Sequence, residues 1–438
     1  MHHYRLRKSP SVPAAVGAFR AEVERWALHC RETYAGAPPS GSWDQALYLS
    51  GWMPVLALKP THPLPTWARE VRDAVARHCR QQGRWAHGYW RRMEVDRGMA
   101  HFERFLGALW RFDPRDTVTV AQFLDAAEHL FTPTEKAPAW FDDETGLFRS
   151  VLLGTSELGE APGGLNLPAH FHGVNLALLA YRMGGGPRYL EVASLHGCHW
   201  ADAILSGKFL PLALSPSGPV FQVTAALSQT RSLLADVPAG DDPVARAEAF
   251  LAAGAVGALL TLWQLREDES FLYAAERLIE ILLPELADPE AGALAAAIRQ
   301  YRNLTGCTRF DRAVLHAVEE GFPYWIETLA VDASLFRQKR PAGVGKRVDL
   351  PFWYEDGMPR QHNPILLGLA AEIAGNARLA TRALDLALGY FRLARLAFPD
   401  GREQGFSARS VYAVAAGHGR DAGAGMVTEV LRPLMGWE

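Results

Sequence analysis

Apolar positions recur at helical spacing along most of the chain. Segment 12–33 places Val16, Phe19, Val23, Trp26 and Ala27 at three- and four-residue steps, and segment 66–80 places Trp67, Val71, Val75 and Cys79 at four-residue steps. Such spacing gathers the side chains on one side of a 3.6-residue helix, so each segment predicts an amphipathic helix. A larger unit then repeats: an apolar helix, a short turn of Asp, Gly, Asn or Pro, and an amphipathic helix. It occupies 102–130, 174–204, 257–283 and 365–394, with a looser copy over 47–79. The turn residues stop one helix and cap the next. The first helix of each pair is apolar nearly all round, as in LALLAY and ILLGLAAEI, whereas the second keeps a polar face. A helix apolar on every side has to be buried, and one with a polar face can cover it. The pattern predicts an inner ring containing 102–111, 174–183, 257–265 and 365–374 beneath an outer ring. With the helical stretch 405–435 the count is six or seven hairpins, irregularly spaced and so unlike a short-period solenoid. Strand signals are confined to short runs such as FRSVLL (148–153) and PVFQV (219–223), and no βαβ series occurs.

Composition narrows the class. The chain has 438 residues, 49% hydrophobic and 21% charged, with 45 Lys and Arg against 48 Asp and Glu. That excludes a disordered or collagen-like chain. A formal charge of −3 provides no basic field for a phosphate backbone, so nucleic acid is not an expected partner. Cys30, Cys79, Cys198 and Cys307 form no CxxC pair, which argues against a disulfide scaffold or zinc knuckle. The N-terminal stretch lacks the apolar core of a signal peptide, and the apolar window 249–265 falls short of a membrane span. A cytoplasmic protein with no membrane partner is the expectation.

Several motif fragments fail on inspection. GHGRDAG (417–423) spells G-x-G-x-x-A, but the acidic residue required about 20 positions on would lie past Glu438. AGVGKR (342–347) lacks the first glycine of a phosphate loop and has Arg347 where Ser or Thr is needed. FDDET (141–145) is not DDxxD, and Cys198-His199 has no second Cys-His pair to complete a zinc site, which sets aside the terpene and lanthionine cyclases.

The hairpin pattern resembles the (α/α) toroid superfamily, the six- or seven-hairpin barrels shared by many glycoside hydrolases and polysaccharide lyases. The resemblance is architectural and spans roughly 40–435. It implies an all-α fold, one (α/α)6 or (α/α)7 domain over 1–438 with helix 12–33 leading into the ring. It also implies a substrate groove where the chain enters the inner helices. Polar and aromatic residues crowd those entrances. Before 102–111 stand Trp85, His87, Tyr89, Trp90, Arg91, Arg92, Glu94, Asp96 and His101; before 174–183 stand Asn166, His170 and His172. Before 365–374 stand Trp353, Tyr354, Glu355, Asp356, Arg360, His362 and Asn363; His418, Arg420 and Asp421 precede the last helix, and Trp43 and Asp44 the first.

Aromatic faces beside polar groups suit sugar rings, which stack on one face and hydrogen-bond at the edge. The plain structural reading is that Asp and His before a helix cap it, Asp44 and Asp96 above all, and that His101 packs on a helix face. The substrate-binding candidates are Trp85, Tyr89, Trp90, Arg91, Asp96, Asn166, Trp353 and Asn363. The catalytic candidates are Glu94, His170, His172, Tyr354, His362 and Arg420. In a β-elimination on a uronate, His170 or His172 is the base or the group that neutralises the sugar carboxylate, and Tyr354 is the acid. Arg91 and Arg420 clamp the carboxylate, and Glu94 orients one histidine. Two alternatives stand beside it. One is a glycoside hydrolase that pairs carboxylates from Glu94, Asp96, Glu355 and Asp356. The other is a toroid that only binds glycans or protein. No cofactor is expected. Resemblance to the metal-dependent toroidal pectate lyases offers only His87, Glu94 and His172, whose spacing departs from that family's. The expected partner is an acidic oligosaccharide.

Overall fold

The computed structural model describes residues 11–34, 63–81, 85–90, 93–133, 139–153, 164–222, 242–287, 292–320 and 363–397. Helix α1 (Val12–Tyr34) and α2 (Leu64–Gln81) come first, followed by the ribbon of β1 (Trp85–Ala86) and β2 (Tyr89–Trp90) and by β3 (Met93–Glu94). The first inner helix is then built in three pieces: α3 (Val95–Ala100), a π-helical turn (His101–Leu106) and α4 (Gly107–Phe112). Its outer partner is α5 (Thr117–Phe131). Further hairpins are α6 (Phe171–Arg182) with α7 (Pro187–Ser206), α9 (Ala255–Arg266) with α10 (Glu269–Leu282), α11 (Gly292–Thr305) with α12 (Asp311–Glu320), and α13 (Pro364–Ala374) with α14 (Ala377–Ala397). The short α8 (Pro243–Ala252) precedes α9.

Capping chemistry sets the boundaries. Asp116, Asp242, Asp268 and Asn363 each accept a backbone N–H of the first turn of α5, α8, α10 and α13. This satisfies donors that have no partner inside the helix. Gly254 begins α9 at φ 72° and Gly375 ends α13 at φ 60°, left-handed conformations that glycine adopts without steric cost. Asp116 does more than cap: its carboxylate also receives Arg72 at 2.6 Å, while Arg69 reaches Asp113 at 2.7 Å, which ties α2 to the turn between α4 and α5.

The helices form two layers. The three-part first helix, α6, α9, α11 and α13 contact one another in succession, while α7 and α10 pack side by side outside them and α1 lies along α14. Burial follows the layers: in α6 almost every residue from Phe171 to Ala180 is buried, as are Pro364–Ala371 of α13 and most of α9. Among the described residues the fold is all-α, with inner helices covered by outer ones, and the four segments expected inside are there. The predicted pieces 47–62 and 405–435 lie outside the described residues.

Two differences from the sequence reading stand out. The hairpin α11–α12 is an inner–outer pair that periodicity did not single out, because α11 buries only one face, with Leu294, Ala295, Ile298 and Tyr301. The apolar window 249–265 is two helices, α8 and α9, meeting at 65°, and no single helix among the described residues is long and apolar enough to cross a membrane.

Candidate active site

The entrances to the first inner helices are drawn together by short ribbons. β3, immediately before α3, pairs antiparallel with β4 (Leu152–Leu153), Glu94 opposite Leu152. A 3-10 turn (Pro168–His170) leads into α6 and packs against α3 and α8. Above it sits a second apolar cluster of Val151, Leu165, Leu167, Leu212 and Ala213, separate from the main core. Asn166 fastens this layer. Its side-chain carbonyl accepts Phe148 N–H at 2.8 Å and its amide donates to Phe148 O at 2.9 Å, while its backbone bridges Leu214.

His170 is fully buried and both of its ring nitrogens are committed to backbone. Nδ1 accepts Leu167 N–H at 2.9 Å and Nε2–H donates to Ser150 O at 3.1 Å, which defines a neutral ring with the proton on Nε2. Burial lowers its pKa to about 4. His196 on α7 is its counterpart with the opposite tautomer: Nδ1–H donates to Gly146 O at 3.2 Å and Nε2 accepts the Trp200 indole N–H at 3.0 Å. Both rings lie against Phe148, with centroids 5.2 and 4.6 Å away. The proposed base or neutraliser His170 is therefore a bonded part of the loop core. Asn166 and Asn363, expected to touch substrate, are bonded as loop fastener and helix cap. Gly173 is small for packing reasons: a Cβ there would stand 2.8 Å from Phe148 Cζ and 3.0 Å from Trp140 Cζ3.

His172 differs. It lies in the first turn of α6, and its Nδ1 is 2.9 Å from Oε2 of Glu103, a residue of the π-helical turn in the neighbouring inner helix. The side chains are 7% and 13% exposed, so the pair is nearly out of water, and Oε1 of Glu103 is buried without a hydrogen-bond partner. A π turn inserts a residue into the helical repeat and is found often at functional sites; here it carries the carboxylate that meets the imidazole. Glu103 was not among the sequence candidates. Its signal was a lone carboxylate inside a segment expected to be buried all round, since such groups are buried only when paired. Tyr89 is 1% exposed, packed on Phe102 at 4.7 Å, and its hydroxyl has no hydrogen-bond partner. Burial raises its pKa well above the usual phenol value, and Asp125, Glu103 and Tyr189 raise it further. The hydroxyl stays protonated as an unused donor. His101 is buried against Phe102 and Phe105, and burial takes its pKa down to about 3.

The remaining candidates divide simply. Trp85, Trp90, Glu94 and Asp96 are placed by their backbone at the first entrance, in β1, β2, β3 and α3. Arg91, Trp353, Tyr354, His362 and Arg420 lie outside the described residues. His87 has its own carboxylate, Asp125, at 3.1 Å, so His87 and His172 are held by carboxylates of different elements.

No protein-family model matches the chain, and no curated protein matches it. Two solved structures have a similar helical arrangement. A UGL variant with dGlcA-Glc-Rha-Glc is 12% identical, with a TM-score of 0.46 over 72% of this chain and 85% of that one. An unsaturated glucuronyl hydrolase specific for heparin is 12% identical, with a TM-score of 0.47 over 85% of this chain and 95% of that one.

Proposed function

We propose that the protein is a carbohydrate-active enzyme that cleaves an acidic oligosaccharide by β-elimination, with His172 as the base. The observation that carries this reading is the His172–Glu103 pair, nearly dry and placed at the mouth of adjoining inner helices. An imidazole whose Nδ1–H is held by a carboxylate has its tautomer and orientation fixed, and the same carboxylate stabilises the imidazolium that forms. In this scheme Nε2 takes the C5 proton of a uronate, the electron pair left behind forms the C4–C5 double bond, and the C4 oxygen leaves with a proton from Tyr354. Arg91 and Arg420 keep their role as carboxylate clamps. The test is a panel of uronate and neutral oligosaccharides incubated with purified protein, read by the absorbance of unsaturated ends and by reducing sugar. Both signals together support elimination. Reducing sugar alone turns the reading to a glycoside hydrolase, and neither signal turns it to a glycan- or protein-binding toroid.

A further inference from the structure

A second cluster of ligating groups lies apart from His172 and Glu103. His87 occupies the tip of the β1–β2 ribbon, where the two-residue turn His87-Gly88 has φ of 53° and 89°. This left-handed pair suits a tight hairpin but is uncommon for histidine. The turn lays the His87 ring flat on His129 of α5, with centroids 3.2 Å apart and planes 8° from parallel. Asp125, one helical turn before His129, faces both rings. Its carboxylate oxygens are each 3.1 Å from His87 Nδ1, and Oδ1 is 3.4 Å from His129 Nδ1. His129 Nδ1 also lies 2.8 Å from the Asp125 carbonyl oxygen.

We infer that His87, Asp125 and His129 form a three-ligand site for a divalent transition metal of the zinc type. Each residue offers one donor atom, and the three atoms lie within 4.8 Å of one another. The Asp125 carboxylate lies 3.1 Å from His87 Nδ1 and 3.4 Å from His129 Nδ1, and rotation of the two partly exposed rings out of their stack lets the three groups converge on a zinc at about 2.0–2.1 Å. Two imidazoles and one carboxylate are a borderline donor set that suits zinc better than calcium or magnesium, which prefer oxygen. Side-chain exposures of 39%, 51% and 25% leave a fourth position open to water. This site does not depend on the elimination chemistry proposed for His172.

The experiment uses full-length, untagged protein dialysed against EDTA and titrated with zinc chloride in competition with a chromophoric chelator. One zinc per chain is expected, with affinity weakened at least about tenfold by His129→Ala and by Asp125→Asn, and unchanged by His2→Ala/His3→Ala. Circular dichroism of each variant establishes that it is folded. Cobalt(II) provides a reading on the unaltered protein: tetrahedral d–d bands without a thiolate charge-transfer band support the site. No retained metal, binding unchanged in the folded variants, or a thiolate band pointing to Cys198 or Cys307 would each overturn it.

Discussion

Oε2 of Glu103 and Nδ1 of His172 stand 2.9 Å apart, joined across 69 positions of sequence and two neighbouring inner helices. The pairing has a consequence for mutagenesis. His172→Ala leaves a nearly buried carboxylate without its partner and is expected to lower stability by about 3 kcal/mol, the usual cost of breaking a buried pair from one side. Adding Glu103→Gln to that variant removes the stranded charge and restores part of the loss. Urea unfolding of the two single variants and the double variant measures the coupling; strictly additive effects would show that the two groups do not interact.

On activity, Glu103→Gln keeps the shape and removes the charge that stabilises the imidazolium. Turnover on the best uronate substrate is expected to fall about 100-fold, on the scale of general-base catalysis, with KM nearly unchanged. A change in KM alone would move Glu103 from the chemistry to binding.

Acid should weaken the fold through its buried histidines. Burial holds His170 at a pKa of about 4, below the usual 6.5, and pushes His196 well below it. Between pH 6.5 and 4 the unfolded chain therefore binds protons that the folded chain refuses. The stability contributed by the neutral rings is complete above 6.5 and lost as pH falls toward 4, on the order of 3 kcal/mol for His170 at 1.36 kcal/mol per unit. Unfolding free energies at pH 7, 6, 5 and 4.5 should decline progressively. A flat profile across that window would contradict the two bonded tautomers.

Gly173→Ala improves helix propensity by about 1 kcal/mol in isolation, yet it should destabilise this protein by about 1–3 kcal/mol. The added methyl group meets Phe148 and Trp140, rings already in contact at 4.2 Å. Near-ultraviolet dichroism from Trp140 should change with the melting temperature; a variant as stable as the parent would show that the rings yield freely.

The inner helices α6, α9 and α13 were legible because burial on every side leaves runs such as LALLAY with no polar face. Helix α11 was not, since an inner helix can also bury a charge by pairing it: Arg299 reaches Glu372 of α13 at 2.9 Å. The polar entrances were legible in the sequence, but the bonding of their side chains was not. Asn166, His170 and Asn363 are the polar residues an entrance needs in order to satisfy backbone groups beneath a buried loop. The partner of His172 depends on how two helices meet, which no local spacing reports. Asp125 and His129, four residues apart on α5, were readable as a shared helix face, but only the hairpin fold brings His87 to them.

The loop layer over the helix entrances has its own apolar cluster and is fastened mainly through Asn166, which ties together backbone near Phe148, Gly164 and Leu214. Such a layer can detach as one piece while the helices beneath remain folded. The amide hydrogens of Phe148, Asn166 and Leu214 should accordingly exchange with deuterium at one common rate, faster than those of α6 and α9. Asn166→Ala should accelerate all three together and leave the helices unchanged. The entrance would then be a separately stable layer that opens and closes without the helices beneath it.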